Sequence, residues 1–150
     1  MGSLRRVLLA EDSQNDAELT IAALGENHLA NEVIRVENGA EALDYLHCRG
    51  RFAGRSNELP AVILLDIKMP KVDGLEVLRQ IRSDPNLAFL PVVMLTSSRE
   101  ERDIVESYRL GVNAYVVKPV DFPSFLEAIK HLGLFWAVVN EPPPAGLKAA

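Results

Sequence analysis

A chain of 150 residues, 48% apolar and 25% charged, has enough material for one buried core. Its net charge of −5 argues against a nucleic-acid surface, and no apolar run approaches the roughly 20 residues that span a bilayer. The single cysteine, Cys48, excludes internal disulfides and thiolate zinc sites.

The N-terminal stretch lacks a signal-peptide core, so a cytoplasmic location is expected. Arg6 to Ala10 is a first short apolar strand that runs into Glu11-Asp12. Ser13 to Asp16 reads as a capping box. It opens a helix over about Asn15 to Glu26 with Leu19, Ala22, Ala23 and Leu24 among its apolar positions. Glu32 to Val36 is a more polar strand, suited to a sheet edge, and Ala40 to His47 a second helix. The polar loop Arg49 to Leu59 is long for a helix-to-strand connection. Ala61 to Leu65 is a continuous apolar run that ends in Asp66, as expected of a strand buried on both faces.

A third helix covers about Leu75 to Arg82, with Asp84-Pro85 beyond its end. Pro91 to Leu95 is a fourth strand followed by Thr96-Ser97-Ser98. Arg99 to Leu110 is a fourth helix, with Gly111 at the position of a left-handed cap. Ala114 to Val117 is a fifth strand ending in Lys118-Pro119, and a last helix runs from about Phe122 to Val138. Residues 1–140 form one domain, and the Pro- and Ala-rich residues 141–150 read as a disordered tail. His28, His47 and His131 show no metal-ligand spacing, and Cys48 reads as a partly buried filler.

Strictly alternating strands and helices dictate a parallel sheet covered on both faces. In such a sheet the strand ends point one way, so Glu11, Asp12, Asp66, Thr96 and Lys118 converge at one edge. Clustered carboxylates repel unless a cation intervenes, and all-oxygen donors without His or Cys suit a hard divalent ion, with Mg²⁺ the leading choice. A lysine and a hydroxyl beside them supply donors for phosphoryl oxygens, so one acid is placed to act as nucleophile.

The set Glu11-Asp12, Leu65-Asp66 with Met69-Pro70 and Asp73-Gly74, Thr96-Ser97, and Lys118-Pro119 resembles the receiver domains of two-component response regulators. The resemblance spans about Val7 to Val139. It implies a flavodoxin-like (CheY-like) α/β fold with strand order 2-1-3-4-5. It further implies that Asp66 accepts phosphate from a sensor histidine kinase, directly or in a relay through a histidine phosphotransfer protein. Asp12, Asp66 and the backbone carbonyl of Lys68 would hold Mg²⁺, with Glu11 helping through water. Thr96 and Lys118 would bind the phosphoryl oxygens, and the bond before Pro119 would be cis. Tyr115 would be the aromatic switch coupled to Thr96, while Lys68 and Ser98 flank the path of the attacking water.

The loop Arg49 to Leu59, Ser107-Tyr108, Asn113 to Tyr115 and Phe135-Trp136 more narrowly resemble regulators paired with bacterial phytochrome kinases. No attached output domain is expected. Such a protein would signal through its helix 4–strand 5–helix 5 surface or by forming a homodimer. Tyr108, Leu134, Phe135 and Val138 are the candidate interface residues. A protein of this kind is not a metabolic enzyme, although it formally catalyses its own phosphoryl transfer and slow hydrolysis. One alternative is a receiver-like module that binds partners without phosphorylation. A phosphatase of the haloacid-dehalogenase class would want a second acid where the chain has Lys68.

Overall fold

A computed structural model describes residues 6–25, 32–55, 58–97 and 109–131. The described residues form five parallel strands and four α-helices, in chain order β1 (Val7–Ala10), α1 (Gln14–Gly25), β2 (Val33–Val36), α2 (Gly39–His47), β3 (Val62–Asp66), α3 (Gly74–Ser83), β4 (Val92–Thr96), β5 (Ala114–Val117) and α4 (Phe122–His131). The sheet order is β2-β1-β3-β4-β5, as the resemblance implies. Every residue of β1, β3 and β4 is buried, which their unbroken apolar runs require. The edge strands are wetter: β2 is half-buried along most of its length, and β5 alternates buried with half-buried residues. Pairing in register places Ala10 beside Leu65, Asp66 beside Leu95, and Thr96 beside Val117.

Alternate residues of the central strands feed two apolar clusters. Leu8, Ile63, Leu65 and Met94 join Leu46, Val77, Leu78 and Ile81 on the α2/α3 face. Leu9, Leu64, Val93 and Leu95 join Ala17, Leu24 and Phe125 on the α1/α4 face. Burial of these side chains contributes about 1.5–3 kcal/mol each for the larger residues, which makes this two-sided sheet the main source of stability.

The helix starts face the strand ends, and their caps fix the loops there. Asn38 Oδ1 accepts the Glu41 N–H, and Asp73 Oδ1 accepts the Glu76 N–H, each at 2.9 Å. Gly39 and Gly74 begin α2 and α3 because the loop between β3 and α3 lies directly against both. A Cβ on Gly39 would sit 1.9 Å from the Val72 carbonyl oxygen, and one on Gly74 would sit 2.1 Å from that of Asp66. The long loop after α2 is tied down by its arginines. Arg55 lies over the Tyr45 ring and donates to the carbonyls of Tyr45 and Glu58, while Tyr45 packs edge-on to Phe52.

Several expectations need correction. Leu19 is 45% exposed and Ala22 is exposed, whereas Ala17 and Thr20 are buried with Ala23 and Leu24. The small residues form the contact face because α1 lies close to α4, and Thr20 hides its hydroxyl by donating to the Asp16 carbonyl at 2.9 Å. The capping box closes on one side only. Ser13 Oγ accepts the Asp16 N–H, but the Ser13 N–H turns to Glu11 Oε2, leaving the Asp16 carboxylate for another partner. Asp66 and Thr96 are the last residues of their strands rather than the first beyond them.

Gly111 has the left-handed φ of 87° expected of it, and Cys48, half-buried, also adopts a left-handed conformation at the end of α2. The predicted fourth helix before Arg109, together with Ser98, Tyr108, Leu134, Phe135, Val138 and the tail, lies outside the described residues. Among the described residues no helix is long and apolar enough to cross a membrane.

Candidate functional site at the strand ends

The carboxyl ends of β1, β3, β4 and β5 bring most of the expected residues to one edge. Glu11 and Asp12 follow β1, Asp66 ends β3, Thr96 ends β4, and Lys118 follows β5. One carboxylate oxygen each from Glu11, Asp12 and Asp66 lies within 4.8 Å of the others. Glu11, Asp66 and Thr96 are buried, whereas Asp12 is exposed at the mouth. An ion can therefore reach the group from solvent on the Asp12 side.

Lys118 Nζ sits among the acids. It donates to Glu11 Oε1 at 3.0 Å, Asp16 Oδ2 at 3.1 Å and Asp66 Oδ2 at 3.2 Å. Its backbone N–H donates to the Thr96 carbonyl at 2.7 Å, and the Lys118–Pro119 peptide is cis as expected. The Lys68 N–H donates to Asp66 Oδ1 at 3.3 Å, and the Lys68 side chain is exposed. Tyr115 is half-buried in β5, packed on the α2/α3 side of the core opposite Met94.

Electrostatics follows from this crowding. Burial, then the hydrogen bond with Asp66, pushes the Glu11 carboxyl up to about 7, although Lys118 works in the other direction. Burial of the Lys118 ammonium would lower its pKa, but its bonds to Glu11 and Asp16 and the charge of Asp66 outweigh that and raise it. Lys118 therefore remains protonated throughout the physiological range.

Two contributors carried no readable sequence signal for this site. Asp16 reads as a capping residue, and only the three-dimensional approach of β5 shows that its carboxylate reaches Lys118. Arg35, on the edge strand β2, donates twice to the Glu11 carbonyl, at 2.9 and 3.1 Å, and thereby fixes the acidic turn.

Among the described residues Lys118 pairs with Glu11, Asp16 and Asp66, and Asp12 lies beside Glu11 and Asp66, so the acids outnumber the ammonium. The donor set is all oxygen. These residues fit a hard divalent cation, which would relieve the repulsion that Lys118 alone does not cancel.

Residues 7–130 match the response regulator receiver domain. The chain belongs to the response regulator receiver family. Its receiver fold superposes on the bacteriophytochrome response regulator RtBRR with a TM-score of 0.83 and 62% identity, over 94% of this chain and 85% of that one. With the bacteriophytochrome response regulator AtBRR the values are 0.84 and 57%, over 93% and 99%. Response regulator Rcp1 of Synechocystis sp. is 35% identical over 130 residues, 87% of each chain. A Mn²⁺-bound form of Rcp1 matches this receiver domain with a TM-score of 0.74 and 34% identity, over 93% of this chain and 99% of that one.

Proposed function

We propose that this receiver domain takes a phosphoryl group on Asp66 from the phosphohistidine of a sensor kinase of the phytochrome type. The observation that carries the reading is the placement of buried Asp66 at the end of β3, bonded to Lys118 and within 4.8 Å of Glu11 and Asp12. In the transfer an Asp66 carboxylate oxygen forms the new O–P bond as the donor's P–N bond breaks. The electron pair of that bond leaves with the imidazole, which takes up a proton.

Asp12, Asp66 and the Lys68 carbonyl would hold Mg²⁺, with Glu11 acting through water. The ion supplies charge neutralisation for the incoming phosphoryl oxygens. Lys118 loses its Asp66 arm and turns that N–H to the phosphoryl group, and Thr96 supplies a hydroxyl donor from β4. Movement of Thr96 toward the phosphate would draw Tyr115 further inward and alter the β5 surface. The exposed Lys68, in place of a second acid, speaks against a dehalogenase-type phosphatase.

Pairing with a phytochrome kinase is supported by the two bacteriophytochrome regulators, at 62% and 57% identity. A histidine phosphotransfer protein is a second candidate donor. Output through a homodimer, with Tyr108, Leu134, Phe135 and Val138 at its interface, belongs to the same proposal, as does a cytoplasmic setting. The test is intact mass after incubation with acetyl phosphate and Mg²⁺. Wild type should gain one phosphoryl group and Asp66→Asn none. Equal gain in both proteins would move the acceptor elsewhere. No gain from either acetyl phosphate or a kinase would favour a phosphorylation-independent module.

A further inference from the structure

We infer that Asp16 is a positioning residue, which together with Glu11 holds the Lys118 ammonium in place for the phosphoryl group. The inference deepens the function proposed above and rests on Asp66 being the acceptor. An ammonium carries three N–H donors, and here each has a carboxylate: Glu11 at 3.0 Å, Asp16 at 3.1 Å and Asp66 at 3.2 Å. Phosphorylation converts the Asp66 carboxylate into an acyl phosphate, and only that arm has to be redirected. The other two remain and fix Nζ at the end of a flexible four-carbon stem.

The local structure commits Asp16 to this task. Its N–H is taken by Ser13 Oγ at 3.2 Å, and its carbonyl accepts the Thr20 hydroxyl at 2.9 Å. In the first turn of α1 its side chain leans back toward the helix start, which faces the strand ends. Glu11, the other support, is fully buried and braced by the Ser13 N–H, whereas the Asp16 side chain is 33% exposed. Asp16 is therefore the support that substitution removes without opening the core.

The experiment compares Asp16→Ala, which deletes the acceptor, with Asp16→Asn, which keeps an acceptor oxygen and drops the charge. The rate of acetyl-phosphate labelling should fall about tenfold in Asp16→Ala and stay within about twofold of wild type in Asp16→Asn. NMR of the Lys118 Nζ–H₃⁺ group provides a readout that needs no phosphate. Its solvent-protected resonance should be present in wild type and Asp16→Asn and lost in Asp16→Ala, with the backbone amide spectrum otherwise retained. Wild-type labelling by Asp16→Ala, equal slowing in both variants, or an unchanged ammonium resonance in Asp16→Ala would each overturn the inference. If wild type takes no label from acetyl phosphate or from a kinase, the assignment of Asp66 falls. The ammonium resonance then decides whether Asp16 holds Lys118.

Discussion

Lys118→Ala is expected to lower the stability of the metal-free protein by about 3 kcal/mol at pH 8 but by only roughly 1 kcal/mol at pH 5. The lysine side chain is 10% exposed and its partners Glu11 and Asp66 are 0% and 7% exposed, so removing it strands charges that water reaches poorly. Glu11 sets the pH window. In the wild type its folded pKa is about 7 against an ordinary 4.5. A raised pKa gives a contribution that is complete below about 4.5 and lost as pH rises through about 7. Without Lys118 the Glu11 pKa rises further, so the loss deepens and extends to higher pH. Urea denaturation at the two pH values measures both. Equal destabilisation at pH 5 and pH 8 would assign the effect to packing of the aliphatic stem instead.

Gly74→Ala is the second large effect, at about 3 kcal/mol or more, with Asp66 displaced. The added Cβ would lie 2.1 Å from the Asp66 carbonyl oxygen and 2.9 Å from both the Asp66 carbonyl carbon and Ile67 Cα. These are backbone atoms, so no rotamer relieves the contact. The Gly74 N–H also donates to the Ile67 carbonyl at 2.8 Å, which holds the helix start against the loop. Either α3 retreats or the end of β3 moves, and the second would misplace the carboxylate of Asp66. Chemical denaturation together with the acetyl-phosphate labelling rate checks this. Wild-type values in both would show that the close approach is not required.

The legible parts of this protein are those written in contiguous residues. The apolar run Ala61 to Leu65 announces a strand covered on both faces, and polar β2 announces an edge; both hold. Because strand ends share a direction in a parallel sheet, Glu11, Asp12, Asp66 and Lys118 could be brought to one site from chain order alone. What stayed hidden depends on approach between distant segments. Asp16 and Lys118 are 102 positions apart, and the local Ser13–Asp16 pattern already offers the acid a plausible duty as a helix cap.

Arg82 is a similar case. Read locally it is a charge near the end of α3. In the fold it donates to the carbonyls of Gly111, Ala88 and Leu90 and to Asn113 Oδ1, bracing the approach to β5. Helix α1 misled for another reason. Leu19 is among its apolar positions yet lies exposed, because close packing favours the small Ala17 and Thr20 at the contact.

Reductive trapping tests the central claim most directly. Borohydride added to the phosphorylated protein reduces an acyl phosphate to a primary alcohol and expels phosphate, which leaves homoserine in place of the phosphorylated aspartate. Peptide sequencing by tandem mass spectrometry should find homoserine at position 66 and at no other acid. Homoserine at Asp12 or Asp16, or none in a protein that had gained the phosphoryl mass, would contradict the assignment of Asp66.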